Sequence, residues 1–186
     1  MNWNASGAPE RKYHQPEAGL QVTDGTVVAG YASLYGKRDQ GGDVVKKGAY
    51  TISLKAMAAA GRQIKMLWQH DPTQPIGVWD EVHEDAVGLY VKGRILTEVE
   101  KGREAAALLT AGAIDGLSIG YRTVKAERDG KGNRLLSELE LWEVSLVTFP
   151  MLPEARVSAK GDRPEADFWR DLAAIFDDAA TSLAER

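Results

Sequence analysis

The chain has 186 residues, of which 44% are hydrophobic and 27% charged, a balance typical of a soluble globular protein with one core. Its net charge is −4 and it has no run of lysine or arginine, which argues against nucleic acid as a partner. The absence of cysteine excludes disulfides, thiolate metal sites and a cysteine nucleophile. Because the chain has only three histidines, we do not expect a multi-histidine metal site. No apolar stretch approaches the roughly 20 residues that a membrane helix needs. Nucleophilic chemistry in this chain would therefore use a hydroxyl, a lysine or a carboxylate.

Taken in order, the chain opens with a polar arm over residues 1–20, which we expect to be loose. Alternating apolar residues bounded by turn residues then predict strands, and two Ala-rich segments predict helices. The predicted strands lie within Gln21–Tyr35, Gln63–His70, Ile76–His83, Gly88–Leu96, Ile114–Glu127 and Arg134–Thr148, and the predicted helices are Ala49–Ala60 and Glu98–Ala113. Hairpin turns between neighbouring strands favour an antiparallel barrel or sandwich, which we assign to residues 21–160 as one domain.

The last segment differs from the rest in its periodicity. Residues 161–186 begin with a polar, proline-containing linker, after which apolar residues recur at helical spacing from Asp167 to Ala184. We predict an amphipathic helix outside the barrel. An isolated helix of this length is marginal in water, so its apolar stripe needs a partner, either its own barrel or another chain.

The candidate nucleophile lies in the stretch Gly-Leu-Ser-Ile-Gly-Tyr, residues 116–121. Alternation along a strand puts Ser118 and Gly120 on one face, opposite the apolar residues. Because Gly116 and Gly120 have no side chains, another group could approach the Ser118 hydroxyl closely. A nucleophile needs that access, but a helix-to-strand turn with a solvated serine would have the same pattern, and the residues alone leave both interpretations open.

A serine hydroxyl becomes a useful nucleophile when a base takes its proton. His70 is the best candidate base, because it ends an apolar strand beside a turn, where a neutral imidazole can be half-buried. His83 lies among acidic residues and is expected to be solvated, and His14 lies in the N-terminal arm. The alternative for His70 is a structural histidine that only caps the end of the strand.

A third group is needed to orient the base, and the long strand over residues 134–148 offers Glu138, Glu140 and Glu143. Glu143 is flanked by apolar residues on both sides, whereas the other two lie near the hairpin. A carboxylate in such a place is costly unless a partner satisfies it, and a histidine N–H would be such a partner. The alternative for Glu143 is a salt bridge to Arg122 on the paired strand.

Five stretches of the chain, in the expected order, resemble the prohead maturation proteases of tailed bacteriophages of the HK97 type. They are Gly30-Tyr31-Ala32, Lys47-Gly48-Ala49-Tyr50, Met66-Leu67-Trp68-Gln69-His70-Asp71, Gly116-Leu117-Ser118-Ile119-Gly120-Tyr121 and Trp142-Glu143-Val144-Ser145-Leu146-Val147-Thr148-Phe149-Pro150. Together they span roughly residues 21–157. Five motifs in register are far more specific than any one of them.

The resemblance implies a serine endopeptidase of the α+β class with a fold like the herpesvirus assemblins, a closed antiparallel β-barrel surrounded by a few helices. Matched motif by motif, Ser118 is the implied nucleophile and His70 the general base. Glu143 is the group that orients the histidine, a place that a second histidine takes in the assemblins. In the loop 150–156, Met-Leu replaces the Ala-Asn common in the family, and this loop is the expected source of backbone N–H groups for the oxyanion.

The resemblance also implies the setting in which the protein acts. The implied substrates are the major capsid protein or its scaffold, and the protease itself, inside the assembling procapsid in the host cytoplasm. No metal or cofactor is implied, neither nucleic acid nor membrane is expected as a partner, and the oligomeric state, a homo-oligomer included, stays open. In this setting the C-terminal helix would either cover the barrel or recruit the protease into the prohead.

Two competing hypotheses remain at this point. One is a catalytically inactive barrel that only assists capsid assembly, and the presence of Ser118, His70 and Glu143 together disfavours it. The other is a small ligand-binding barrel, which would need a convergent interior pocket that the sequence neither shows nor excludes.

Overall fold

The computed structural model describes residues 10–14, 21–23, 25–39 and 41–149, which form a mostly β protein of the α+β class with two helices. The strands are β1 (Glu10–His14), β2 (Gln21–Thr23), β3 (Val27–Leu34), β4 (Asp43–Val45), β5 (Lys65–Trp68), β6 (Asp71–Glu84), β7 (Gly88–Ile95), β8 (Gly116–Arg128) and β9 (Arg134–Val147). The helices are α1 (Thr51–Ala59) and α2 (Glu100–Thr110). Within these ranges neither helix is long and apolar enough to cross a membrane.

Several sequence predictions concern residues outside the described ranges. The amphipathic helix over 167–184 and the loop 150–156 lie there, as does most of the N-terminal arm. Residues 10–14 of that arm, expected to be loose, form strand β1. The domain boundaries drawn from the sequence stay predictions.

All nine described strands belong to one mixed sheet with the order β1-β8-β9-β5-β6-β7-β3-β2, and β4 pairs with β9 beside this path. The pairings of β4 and β5 with β9 are parallel, and the other pairings are antiparallel. The sheet curls into a half-barrel whose edge strands are β1 and β2, and no ladder joins these edges in the described part of the chain. The closed antiparallel barrel expected from the sequence is therefore wrong: the sheet is open and mixed.

The sequence did not predict the open, mixed sheet, because local patterns do not show which distant strands pair or whether a sheet closes. Hairpin turns correctly predicted antiparallel neighbours such as β8 and β9, which are joined across residues 129–133. The parallel partners of β9 come from far upstream in the chain, and parallel pairs leave no hairpin signal because they need a crossover connection. Whether a curled sheet closes depends on the tilt and stagger of all its strands.

Strand β9 is central because both of its edges are occupied. One edge pairs with β8, and the other pairs with β4 at its start and with β5 near its end. Between β4 and β5, this edge of β9 forms hydrogen bonds with the region of α1. The Leu139 N–H donates to the Ala49 carbonyl (2.9 Å), and the Leu141 N–H donates to the Ser53 hydroxyl (2.9 Å). Helix α1 and Ala49, which precedes it, thus satisfy backbone groups that would otherwise be unpaired in a protein interior.

The first half of β8, residues 116–121, is buried on both faces. Leu117 and Ile119 belong to the apolar core, as the alternation predicted. Ser118 alternates with them and is also completely buried. The solvated serine that the sequence left open as an alternative is therefore excluded.

The N-terminus of α1 is held by a carboxylate from another element. Glu84, at the end of β6, accepts hydrogen bonds from the Tyr50 N–H (3.1 Å) and from the hydroxyls of Thr51 and Tyr35 (2.5 Å each). Burial, together with the hydrogen bond to Glu84, raises the pKa of the Tyr35 phenol, so this hydroxyl stays protonated and donates. A carboxylate at a helix N-terminus also interacts favourably with the helix dipole. Glu84 therefore fastens α1 to the sheet.

Replacing Glu84 with alanine should leave three donors without their acceptor and lower the free energy of unfolding by about 1–3 kcal/mol. For a chain of this size the melting temperature, measured by circular dichroism, should fall by several degrees. Glu81→Ala is the matched control, because the exposed pair of Glu81 with Lys92 contributes little. Equal melting temperatures for the two variants would contradict this role of Glu84.

Candidate active site

The turn between β5 and β6 holds His70 in an uncommon backbone conformation. Gln69 and His70 have φ angles of 51° and 62°, in the left-handed region that non-glycine residues rarely adopt. The Gln69 N–H donates to the Leu146 carbonyl (3.0 Å), and the His70 N–H donates to the Ser145 hydroxyl (3.1 Å). His70 therefore lies in the turn itself, rather than at the end of the strand as the sequence predicted. Strain of this kind persists only where the surroundings fix it, and it is common at functional sites.

Ser118 lies on β8 beside β9, where its register partner is Ser145. Its hydroxyl oxygen is 2.5 Å from His70 Nε2, although the two residues are 48 positions apart in the chain. This distance suits a hydrogen bond from the hydroxyl to an unprotonated ring nitrogen. Ser118 has no exposed surface and His70 is 6% exposed, so a substrate would reach the hydroxyl only after a neighbouring group moves.

The other ring nitrogen of His70 faces Glu143. The distance from Nδ1 to Oε1 is 2.5 Å, and Glu143 is only 3% exposed. When Nδ1 carries the hydrogen in this contact, Nε2 is left as an acceptor facing Ser118. The second carboxylate oxygen, Oε2, accepts a hydrogen bond from the Ser145 hydroxyl (2.6 Å). Both carboxylate oxygens thus have partners, as burial requires, and we call Ser118, His70 and Glu143 the Ser–His–Glu cluster.

The other candidates from the sequence lie elsewhere. Glu140 forms an ion pair with Arg122, and Glu138 forms one with a lysine of β8. The alternative pairing of Glu143 with Arg122 is therefore wrong. His83, the second candidate base, is exposed. In the part of the chain that the structure describes, no group of three histidine, aspartate or glutamate side chains is arranged to hold a metal ion.

Gly120 makes room for the carboxylate of the cluster. It is the register partner of Glu143, and a Cβ built on Gly120 would overlap the Glu143 carboxylate. The sequence predicted that Gly116 and Gly120 would let another group approach the Ser118 hydroxyl, whereas the group that Gly120 accommodates is the Glu143 carboxylate. Sequence reasoning missed Ser145, for which the only signal was its place on the same strand row as Glu143.

Replacing Gly120 with alanine should therefore displace the Glu143 carboxylate from His70. Because a misplacement of about 1 Å costs on the order of a hundredfold in rate, we expect proteolysis to fall by about this factor in a peptidase assay. Gly130→Ala, in the hairpin between β8 and β9, is the matched control, since nothing lies within 4 Å of a Cβ built there. An unchanged rate in Gly120→Ala would show that the carboxylate needs no such space.

Comparison with known proteins assigns the chain to a family. Residues 13–166 match the sequence model of the family described as caudovirus prohead serine protease. The chain belongs to this family. The matched range contains all three residues of the Ser–His–Glu cluster, so the cluster lies within the part of the chain that the family shares.

One curated relative and one solved structure are similar to this chain. The prohead protease of Enterobacteria phage HK97 is 29% identical over 136 residues, which cover 72% of this chain and 59% of that protein. The chain thus spans less than two thirds of the relative's length. The structure of the bacteriophage T4 capsid assembly protease, gp21, is similar with a TM-score of 0.61 and 17% identity, covering 77% of this chain and 100% of that one. At this identity the likeness to the T4 protein concerns the fold alone.

Proposed function

We propose that this chain is a serine endopeptidase that cleaves capsid-related proteins during prohead maturation. The observation that carries the proposal is the continuous chain of contacts from the Ser118 hydroxyl through the His70 ring to the Glu143 carboxylate. Such a relay is the arrangement by which a weak hydroxyl nucleophile is activated on many unrelated folds. Membership of a prohead protease family supports the same conclusion.

In the proposed reaction the Ser118 oxygen attacks the carbonyl carbon of a peptide bond while His70 Nε2 takes the hydroxyl proton. Glu143 accepts a hydrogen bond from Nδ1–H, which holds the ring in the useful tautomer and stabilises the imidazolium that forms. His70 then protonates the leaving amine, and an acyl-enzyme remains on Ser118. Water hydrolyses this ester by the same sequence of proton transfers, and the free enzyme returns.

The proposed substrates follow from the family rather than from a substrate pocket. They are the major capsid protein or its scaffold, together with the protease's own chain, cut within the assembling procapsid in the host cytoplasm. The loop 150–156 is the proposed source of oxyanion donors, and one such donor is typically worth about 3 kcal/mol of transition-state stabilisation.

The competing function is a catalytically inactive barrel that assists assembly. Two features favour the enzyme over it. The left-handed conformation of His70 costs on the order of 1–3 kcal/mol, and burying the Glu143 carboxylate is costly unless its partners compensate for lost water. A purely structural protein gains nothing from concentrating these costs around one serine.

Labelling with a serine-directed fluorophosphonate separates the two functions. The full chain is incubated with the reagent until the reaction is complete, because the buried hydroxyl is expected to react slowly, and adducts are counted by intact mass. We expect one adduct in the wild type and in the control Ser137→Ala, an exposed serine of β9, and none in Ser118→Ala. A label retained in Ser118→Ala would refute Ser118 as the nucleophile.

A further inference from the structure

Ser145 connects two members of the Ser–His–Glu cluster without belonging to it. It lies on β9 and has no exposed surface. Its hydroxyl oxygen accepts the His70 N–H at 3.1 Å, and its hydrogen goes to Glu143 Oε2 at 2.6 Å. The direction of the second bond is fixed, because an ionised carboxylate only accepts hydrogen bonds.

These two bonds close a ring of contacts. The ring runs from the His70 backbone to Ser145, on to the Glu143 carboxylate, and back through the His70 imidazole. Without Ser145, the bond from His70 to Oε1 would be left to hold the terminal torsion of Glu143, which is broad for a carboxylate. The left-handed His70 would also lose one of the bonds that hold its backbone. A hydroxyl that donates and accepts at once is required at this position, and alanine supplies neither group.

We propose that Ser145 is a positioning residue that holds both the backbone of His70 and the carboxylate of Glu143 in register with Ser118. The expected loss of kcat rests on the proposed peptidase function. The expected loosening of the His70 backbone does not depend on that function. The hydrogen bonds of Ser145 go to the His70 backbone and to the Glu143 carboxylate, so it acts on the reaction through these two residues.

The kinetic test compares Ser145→Ala with Ser53→Ala, a second buried serine whose hydroxyl also bonds to β9, at Leu141. Ser145→Ala should lower kcat by about tenfold to a hundredfold with little change in KM, and Ser145→Thr, which keeps a hydroxyl, should recover part of the loss. In a Glu143→Ala background the same change should cost much less, because there is no carboxylate left to position. Full additivity in that background, or a kcat equal to that of Ser53→Ala, would overturn the proposal.

An activity-independent measurement keeps the proposal testable if no peptidase activity is found. Amide hydrogen exchange at His70, followed by NMR, should accelerate in Ser145→Ala, because the His70 N–H loses its acceptor, and should stay unchanged in Ser53→Ala. An inactive wild type would refute the proposed function alone. Unchanged exchange at His70 in Ser145→Ala would refute the positioning role alone.

A separate observation concerns the edge of β8 beside Ser118. Strand β9 pairs with one edge of β8, and β1 pairs with the other in antiparallel register, with Tyr13 opposite Ser118 and His14 opposite Leu117. Extended peptides commonly bind proteins by adding a strand to a sheet edge. Since β9 occupies one edge of β8, such a peptide would pair with the other edge. In the described residues that edge is covered by β1. The nucleophile itself is completely buried in this arrangement.

From this register we infer that β1 competes with an extended polypeptide segment for the β8 edge, so that the protease is closed until β1 leaves. This second inference also rests on the proposed function. The occupant that replaces β1 is a strand of the polypeptide to be cut, paired through its main chain. Release of β1 would then be a step at which activity is controlled.

Two adjacent prolines in the full chain, Arg11→Pro with Lys12→Pro, test the competition. Successive N–H groups of a strand point to opposite edges, so one of the two prolines removes a donor that faces β8. The matched control places the same pair outside β1, as Asn4→Pro with Ala5→Pro. We expect faster fluorophosphonate labelling of Ser118 and faster amide exchange over residues 117–121 in the β1 variant, measured by mass spectrometry, and wild-type values in the control.

The outcomes separate cleanly. Faster exchange along β8 without faster labelling would refute the competition, because β1 would then pair with β8 without limiting access. Unchanged exchange would also refute it, since β1 would not protect that edge. Absence of any Ser118 label in every chain, together with faster exchange, would refute the proposed function and leave the pairing of β1 intact.

Discussion

Replacing Ser118 with alanine should lower kcat for peptide cleavage by a factor on the order of 10⁴ to 10⁶, because the hydroxyl is the only atom of the cluster placed to form the acyl-enzyme. His70→Ala should cost a similar factor, since His70 Nε2 is 2.5 Å from that hydroxyl and is the base assigned to take its proton. The double variant should cost little more than either single one, because the two residues act as a unit. Kinetics with a peptide cut by the wild type provide the measurement.

The control for this series is Ser137→Ala, which removes an exposed serine hydroxyl from β9 without approaching the cluster. Thermal melts of all variants separate a loss of chemistry from a loss of fold. A Ser118→Ala chain that cleaves at the wild-type rate would refute the nucleophile. A double variant whose losses simply add would show that Ser118 and His70 do not cooperate.

The second large effect is expected at Glu143. Glu143→Gln keeps the shape of the side chain but removes the charge that stabilises the imidazolium and presents an amide to His70 Nδ1. Kcat should fall by about a thousandfold or more, as carboxylate-to-amide changes in such relays do, with little change in KM. The same peptide assay measures it.

Two neighbouring carboxylates of β9 serve as controls for Glu143. Glu138→Gln and Glu140→Gln remove charges that pair with cations of β8 at the surface, outside the cluster. Both should behave close to wild type, because each carboxylate pairs with a cation of β8 and such pairs near the surface contribute little. If Glu140→Gln inactivated the chain and Glu143→Gln did not, the carboxylate would be wrongly assigned.

The patterns of the sequence anticipated which side chains lie together better than they described the sheet. The apolar neighbours of Glu143 distinguished it from Glu138 and Glu140, and in the structure Glu143 contacts His70 while the other two pair with cations of β8. Alternation along β8 likewise placed Ser118 opposite the core residues. Such placements can be read from the sequence because side-chain direction in a strand follows a two-residue period and because neighbouring residues indicate burial.

Other features depend on contacts between distant parts of the chain, which no local pattern displays. The left-handed φ of His70 is held by hydrogen bonds to β9, 75 residues away for Ser145. The parallel pairing of β5 with β9 brings His70 beside Ser145, and only the folded sheet reveals this proximity. For the same reason the open half-barrel and the role of Gly120 beside Glu143 could not be predicted from the sequence.

The most direct test of the central claim is mass spectrometry of the products after co-expression of this chain with its cognate capsid protein. The wild type should generate new peptide termini in the capsid protein or scaffold and in the protease chain itself, and Ser118→Ala, produced at the same level, should generate none. Identical termini with the wild type and with Ser118→Ala would contradict the account, because the cleavage would then belong to another protease.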